Sequence, residues 1–201
     1  MSHALSSTTS PASPAERRRA ATRQRVAAAA AQLVASRGLA GATVEHIADA
    51  ADISRATFFR YFNSKEDAIA EGVNVLWLTR ITDAVAAQPP HLTATEAVIG
   101  AFGDLALGFA EIEDQVRELA TLTRSSETLE AWNLHIYARY EAAIAELVAP
   151  RMRDLVPQDP RPRLLGALAM AAVRIALDDW LIEGGSLPDR VRQGLAALTV
   201  A

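Results

Sequence analysis

The 201-residue chain has no cysteine, which excludes disulfides, thiolate metal sites and cysteine nucleophiles and is compatible with a reducing compartment. Glycine and proline are sparse, at ten and nine residues, and runs of β-branched residues are missing. Alanine and leucine make up most of the apolar half, so helix is favoured nearly throughout. Long apolar runs are lacking as well. The purest, residues 167–173, ends at Arg174 and is far too short to span a bilayer. Residues 1–15 are rich in Ser, Thr, Ala and Pro, lack the apolar stretch of a signal peptide, and read as a disordered tail. A soluble cytoplasmic protein with no membrane partner is the expectation.

Catalytic patterns are missing too. His3, His46, His91 and His135 are scattered, and none has metal-ligand spacing to a second ligand. No glycine-rich phosphate loop, serine elbow or carboxylate motif occurs. The reading is therefore not an enzyme, with no metal and no cofactor.

What is present is a charge asymmetry. Residues 1–65 carry nine Arg and Lys (Arg17, Arg18, Arg19, Arg23, Arg25, Arg37, Arg55, Arg60, Lys65) against Glu16, Glu45, Asp49 and Asp52, a balance of +5. With a whole-chain charge of −4, the remainder stands at −9. A basic head on an acidic body suits a nucleic-acid-binding unit attached to a unit that avoids phosphate.

Helical periodicity and stop signals divide the chain into an all-α succession. A first helix is predicted over about residues 16–37, with Val26, Ala30, Leu33 and Val34 on one side and Gly38 as its carboxyl-terminal cap. Thr43 caps a second helix striped by Val44, Ile47, Ala48 and Ala51. Ala51, Asp52 and Ile53 make a turn, and Ser54 caps a third helix. Ser64 caps a long fourth helix, with Asp67 three residues on. It fades near Gln88 and ends at Pro89–Pro90. Further helices are predicted at about 93–110, 114–123, 127–148, 162–183 and 188–200. The domains follow: tail 1–15, a three-helix DNA-binding head 16–63, and a larger body 64–201.

Residues 43–62 (TVEHIADAADISRATFFRYF) read as two short helices and a tight turn. That arrangement lets one helix enter a major groove while its partner braces it. Phe58 and Phe62 are four apart and share a face, forming a small core with Val26, Ile47 and Ile53. Ser54, Arg55, Thr57, Arg60 and Tyr61 are left for the DNA side. Arginine can grip guanine O6 and N7, while hydroxyls serve phosphate. Arg17–Arg19 with Arg23 and Arg25 have two readings: an arm tracking phosphate or the minor groove, or a solvated helix start.

The segment from Arg19 to about Gly72, including the continuation Asn63–Ser64–Lys65–Glu66–Asp67, resembles the DNA-binding region of the TetR family of transcriptional regulators. The resemblance implies that Arg55 and Thr57 meet bases or phosphate. It further implies that Tyr61 and Lys65 clamp the backbone and that Thr43 holds a phosphate. Phe59 stands where many members have tyrosine. It has no hydroxyl to donate, and either touches a thymine methyl or sugar or packs. His46 stands where acids are common and reads as a surface residue.

Beyond the head, only helical architecture and length agree with the family, whose members use the carboxyl-terminal helices for an effector pocket and for dimerisation. Trp77, Phe102, Leu105, Phe109, Leu119, Trp132, His135, Tyr137 and Met170 are the apolar pocket candidates. Arg174 is a charge within an apolar helix, to be met by Asp178 four residues on or by an anionic ligand group. The helix with small residues Gly166, Ala167, Ala169, Ala171, Ala172 and Ala176 and bulky Leu168, Ile175, Leu177, Trp180 and Leu181, and the final helix with Val191, Leu195 and Leu198, are candidates for a dimeric four-helix bundle; the alternative is an ordinary buried helix within the monomer. The functional expectation is a repressor. It binds double-stranded DNA at a near-palindromic operator as a homodimer and is released by a small lipophilic or acyl-chain-like effector. The alternative is a helical small-molecule-binding protein or enzyme whose helix-turn-helix is incidental.

Overall fold

The computed structural model describes residues 13–125 and 127–197, without the side chains of Thr128 and Trp132. The described residues are all-α. Nine α-helices follow in order: α1 Pro14–Gly41, α2 Val44–Ala50, α3 Arg55–Phe58, α4 Lys65–Ala86, α5 Ala94–Ala106, α6 Glu113–Leu122, α7 Glu127–Val148, α8 Arg161–Glu183 and α9 Leu187–Ala196. Among the described residues no helix is long and apolar enough to cross a membrane.

Local chemistry sets most of the boundaries. Ser13, Thr43, Ser54, Ser64, Thr93 and Ser186 each accept a backbone N–H of the first turn that follows, which satisfies a donor the helix leaves orphaned. The Ser13–Glu16 capping box starts α1 at Pro14, earlier than residue 16, because proline at the first helical position gives up an N–H that has no partner anyway. Of the expected tail, 1–12 lie outside the described residues. Gly38, at φ 70°, breaks α1 three residues from its end. The helix expected at 93–110 divides at Gly108, φ 75°, into α5 and a 3-10 turn, Phe109–Glu111. Leu198 and the predicted end of the last helix lie outside the described residues.

The chain has two principal cores. In the head, Val26, Ile47, Phe58, Phe62 and Ile69 are almost fully buried, and Ile53 packs against them partly exposed. In the body, Val85, Val98, Ile144, Met170 and Leu195 are buried among α4, α5, α7, α8 and α9. Helix α4 belongs to both, and Trp77 packs on each.

On helix α8 most of the small residues pack within the chain. Gly166 abuts the Glu141 backbone of α7, where an added Cβ would lie 2.4 Å from the carbonyl oxygen. Ala172 meets Gly194 of α9, and Ala169 and Ala176 are buried. The outward positions are large instead: Leu164, Leu168, Ile175 (52% exposed) and Ile182 (84%). At 3.6 residues per turn these four fall within about 40° of one another, a single apolar stripe.

Candidate DNA-reading head and effector cavity

The turn between α2 and α3 needs a left-handed residue, and Asp52 supplies it at φ 51°. Aspartate tolerates that region better than most side chains. The Ile53 N–H then bonds back to the Ala48 carbonyl at 3.0 Å. The angle fixed between the two helices leaves Phe58 fully buried and sends Arg55 and Arg60 into solvent. Hydrogen bonds from Phe59, Arg60, Tyr61 and Phe62 to carbonyls three or four residues back continue the α3 turn. Phe58 and Phe62, with rings 5.8 Å apart, therefore share the buried face.

The candidate DNA-side residues are held by their neighbours. Arg55 pairs with Glu45 of α2 at 3.4 Å and lies 5.6 Å from the Phe59 ring centre. Phe59 packs edge-on against Phe58 at 5.3 Å, and 47% of it stays exposed. The Ser54 and Thr57 hydroxyls are 2.9 Å apart. Thr43 accepts the His46 N–H, and His46 itself is exposed. Tyr61 is half-buried against the head core. Lys65 donates to the Leu39 carbonyl at 3.2 Å; an ammonium carries three donors, so this leaves capacity for a phosphate.

Two arginines of the basic start serve the fold. Arg25 donates to the Ala51 carbonyl at 3.0 Å. Arg23 donates from Nε to both Glu71 oxygens at 2.9 Å and from Nη1 to the Tyr61 carbonyl, and its guanidinium lies 4.3 Å from the Phe62 ring centre. It ties α1, the end of the recognition segment and α4 together. Arg18 and Arg19 are exposed.

Ten residues along from Ser64, α4 begins to line a cavity of about 150 Å³ with Asn74, Trp77 and Ile81. Of the expected lining, Trp77, Phe102, Leu105, Phe109, Leu119, Tyr137 and Met170 are there. His135 is not. On α7 the lining stripe is Asn133, Tyr137 and Tyr140, and His135 lies off it, exposed, with Nδ1 2.9 Å from the Ala131 carbonyl oxygen. Arg174 is not among the lining residues either. It is exposed and 3.7 Å from Asp178, the intrahelical pair the sequence suggests. The Trp132 side chain lies outside what is described.

Residues not anticipated complete the site. The Tyr140 hydroxyl donates to the Asn74 carbonyl or Oδ1, both 2.9 Å away, which joins α7 to the middle of α4. Burial pushes that phenol's pKa up, so it remains a donor. Asn74 has a readable signal, as a polar residue in helical register with Trp77 and Ile81. Arg124 has none, since it follows α6 in a connection without periodicity. Among the described residues it is the one charged side chain lining the cavity. No three His, Asp or Glu side chains among the described residues gather as metal ligands.

Comparison with known proteins agrees with this geometry. Residues 26–71 match the model of bacterial regulatory proteins of the tetR family, and residues 88–200 match the MftR C-terminal domain. The HTH-type transcriptional regulator TcmR of Streptomyces glaucescens is 28% identical over 186 residues, covering 90% of this chain and 79% of that protein. A putative mycofactocin biosynthesis transcriptional regulator, MftR of Mycobacterium tuberculosis, is 30% identical over 163 residues, covering 77% and 80%. Thermus thermophilus FadR, a TetR family repressor solved with lauroyl-CoA, shares the fold at TM-score 0.65 and 23% identity, over 88% of this chain and 92% of that one. A TetR regulator from Rhodococcus sp. RHA1 does so at TM-score 0.63 and 18% identity, over 90% and 97%. A helix-turn-helix braced by α1, joined through α4 to a helical body of this kind, belongs to the TetR family of bacterial transcriptional regulators, and so does this chain.

Proposed function

We propose that the protein is a repressor that binds a near-palindromic operator as a homodimer and releases it when an apolar or amphipathic effector occupies the body cavity. The observation carrying this reading is the double membership of α4. Its first turns are held to α1 by Lys65, which donates to the Leu39 carbonyl, and to the recognition segment by the Arg23–Glu71–Tyr61 junction. Its next turns are cavity wall. A ligand that shifts Trp77 or Asn74 acts on the element that sets the angle of the head. The predominantly apolar and aromatic lining supports an acyl-chain-like effector, as does the fold shared with a FadR solved with lauroyl-CoA. The exposed α8 stripe supports the homodimer. The regulator relatives favour DNA control in the cytoplasm over the enzymatic alternative.

Selection from random duplexes tests the operator. It should return an inverted repeat with half-site centres about one helical turn, roughly 34 Å, apart. Absence of any enriched sequence at low salt would contradict the reading.

The head residues should divide their labour. Arg55→Ala is expected to change which base is preferred, since a bidentate contact contributes about 1–3 kcal/mol of discrimination. Lys65→Ala should weaken every duplex alike and flatten the salt dependence, as loss of a phosphate contact does. Binding-site profiles of both variants at two salt concentrations check this. Identical profiles with equal loss would remove Arg55 from the base-reading set.

A further inference from the structure

The cavity wall is mostly apolar, and among the described residues it holds charge at one corner. There Arg124 enters from the connection after α6, its side chain only 24% exposed. Its Nε donates to Asp178 Oδ1 at 2.8 Å and its Nη1 to the Ala120 carbonyl at 2.9 Å. Asp178 is shared: its second oxygen faces Arg174 at 3.7 Å, and 40% of its side chain is in solvent. Two guanidinium groups thus meet one carboxylate, leaving a net charge of +1. Tyr137 lines the same corner, and burial raises its pKa, with Arg124, Asp178 and Arg174 all close enough to influence it. A half-buried arginine still favours an anionic partner, and Asp178 can leave cheaply because it keeps Arg174 and water as partners.

We propose that Arg124 is the head-group receptor of the cavity, exchanging Asp178 for the carboxylate of an amphipathic ligand whose apolar part lies among Trp77, Phe102 and Met170. This rests on the cavity being the effector site. Arginine suits the role because its planar fork meets a carboxylate with two parallel hydrogen bonds. The Tyr137 hydroxyl, kept protonated, is a second donor at the same corner. The apolar space of about 150 Å³ is of the size that takes a single aromatic ring, or a short chain. The ligand class is therefore a compact monocarboxylate, aromatic or short-chain, and the matching neutral alcohol should bind poorly.

Isothermal titration of the full chain with two matched pairs tests this: octanoate against 1-octanol, and benzoate against benzyl alcohol. At least one acid should bind about tenfold or more tighter than its alcohol. Arg124→Gln should erase that preference by weakening the acid about tenfold while leaving the alcohol unchanged, and Arg124→Lys should restore part of it. Asp178→Asn should tighten the acid severalfold, because it removes the competing carboxylate; a merely structural ion pair would give weaker binding of both pair members. Equal affinity of acid and alcohol, or parallel loss of both in Arg124→Gln, would overturn the head-group assignment and leave the cavity as effector site. Failure of all four compounds to bind the wild-type chain would overturn the effector-site reading itself.

Discussion

Gly72→Val is expected to abolish operator binding while the helical body stays folded. Gly72 lies where α4 crosses α1, and a Cβ there would sit 1.9 Å from the Ala27 carbonyl oxygen and 2.7 Å from its carbon. Both are backbone atoms, so no side-chain rotation relieves the clash and the two helices must part. Ile69 and Val73, on the same stretch of α4, are buried in the head core and would lose their contacts. Overpacking of ordinary cores costs about 1–3 kcal/mol, and a backbone clash belongs at or above the top of that range. A head of this size has little stability to spare. Thermal unfolding should show an early transition, or a midpoint lowered by roughly 6–12 °C for about 3 kcal/mol in a chain of this length. Circular dichroism should retain most of the helix signal. A variant that binds operator normally would show that α1 and α4 need not touch.

The second large effect is expected from Leu168→Glu combined with Ile175→Glu. Both side chains are about half exposed within a single chain, so the fold should tolerate the change with little loss, as surface substitutions usually do. In a dimer built on the α8 stripe the two carboxylates would be buried without partners, at a cost the interface cannot bear. Light scattering should then report the 21.5 kDa of one chain, against twice that for the wild type. Operator affinity should fall about 100-fold or more, because a monomer loses the effective concentration that holds the second head over its half-site. A variant that remains dimeric would move the interface away from α8.

The elements were the most legible part of this protein. Thr43, Ser54 and Ser64 cap helices where their sequence positions predict, because a cap is a contact between a side chain and the backbone two or three residues away. Gly38 breaks the first helix, and the long apolar pattern of residues 127–148 matches α7 at both ends. Phe58 and Phe62 were readable as core from their spacing alone.

What depended on distant chain was not readable. Gly72 looks like an ordinary helix glycine until α1 is laid across it. The small residues of α8 signal close packing and leave open whether the partner helix belongs to the same chain or to a second copy; Gly166 and Ala172 meet α7 and α9 of the same chain. Arg23 and Arg25 carry the same charge as Arg18 and Arg19, yet a carboxylate 48 residues away occupies the first and a turn carbonyl the second. His135 shares a helix with Tyr137 and Tyr140 but lies off their stripe. Arg124 carries no local signal, because its partner Asp178 lies 54 residues on.

The coupling of cavity to head through α4 is the central claim, and reciprocal linkage tests it most directly. Fluorescence anisotropy of a labelled operator duplex should be followed at half-saturation while octanoate or lauroyl-coenzyme A is added, with effector affinity measured in parallel by calorimetry with and without operator. At least one ligand should lower operator affinity by a factor of about 5–150, and operator should lower that ligand's affinity by the same factor, as thermodynamic linkage requires. A ligand that binds the cavity tightly and leaves operator affinity unchanged would contradict it.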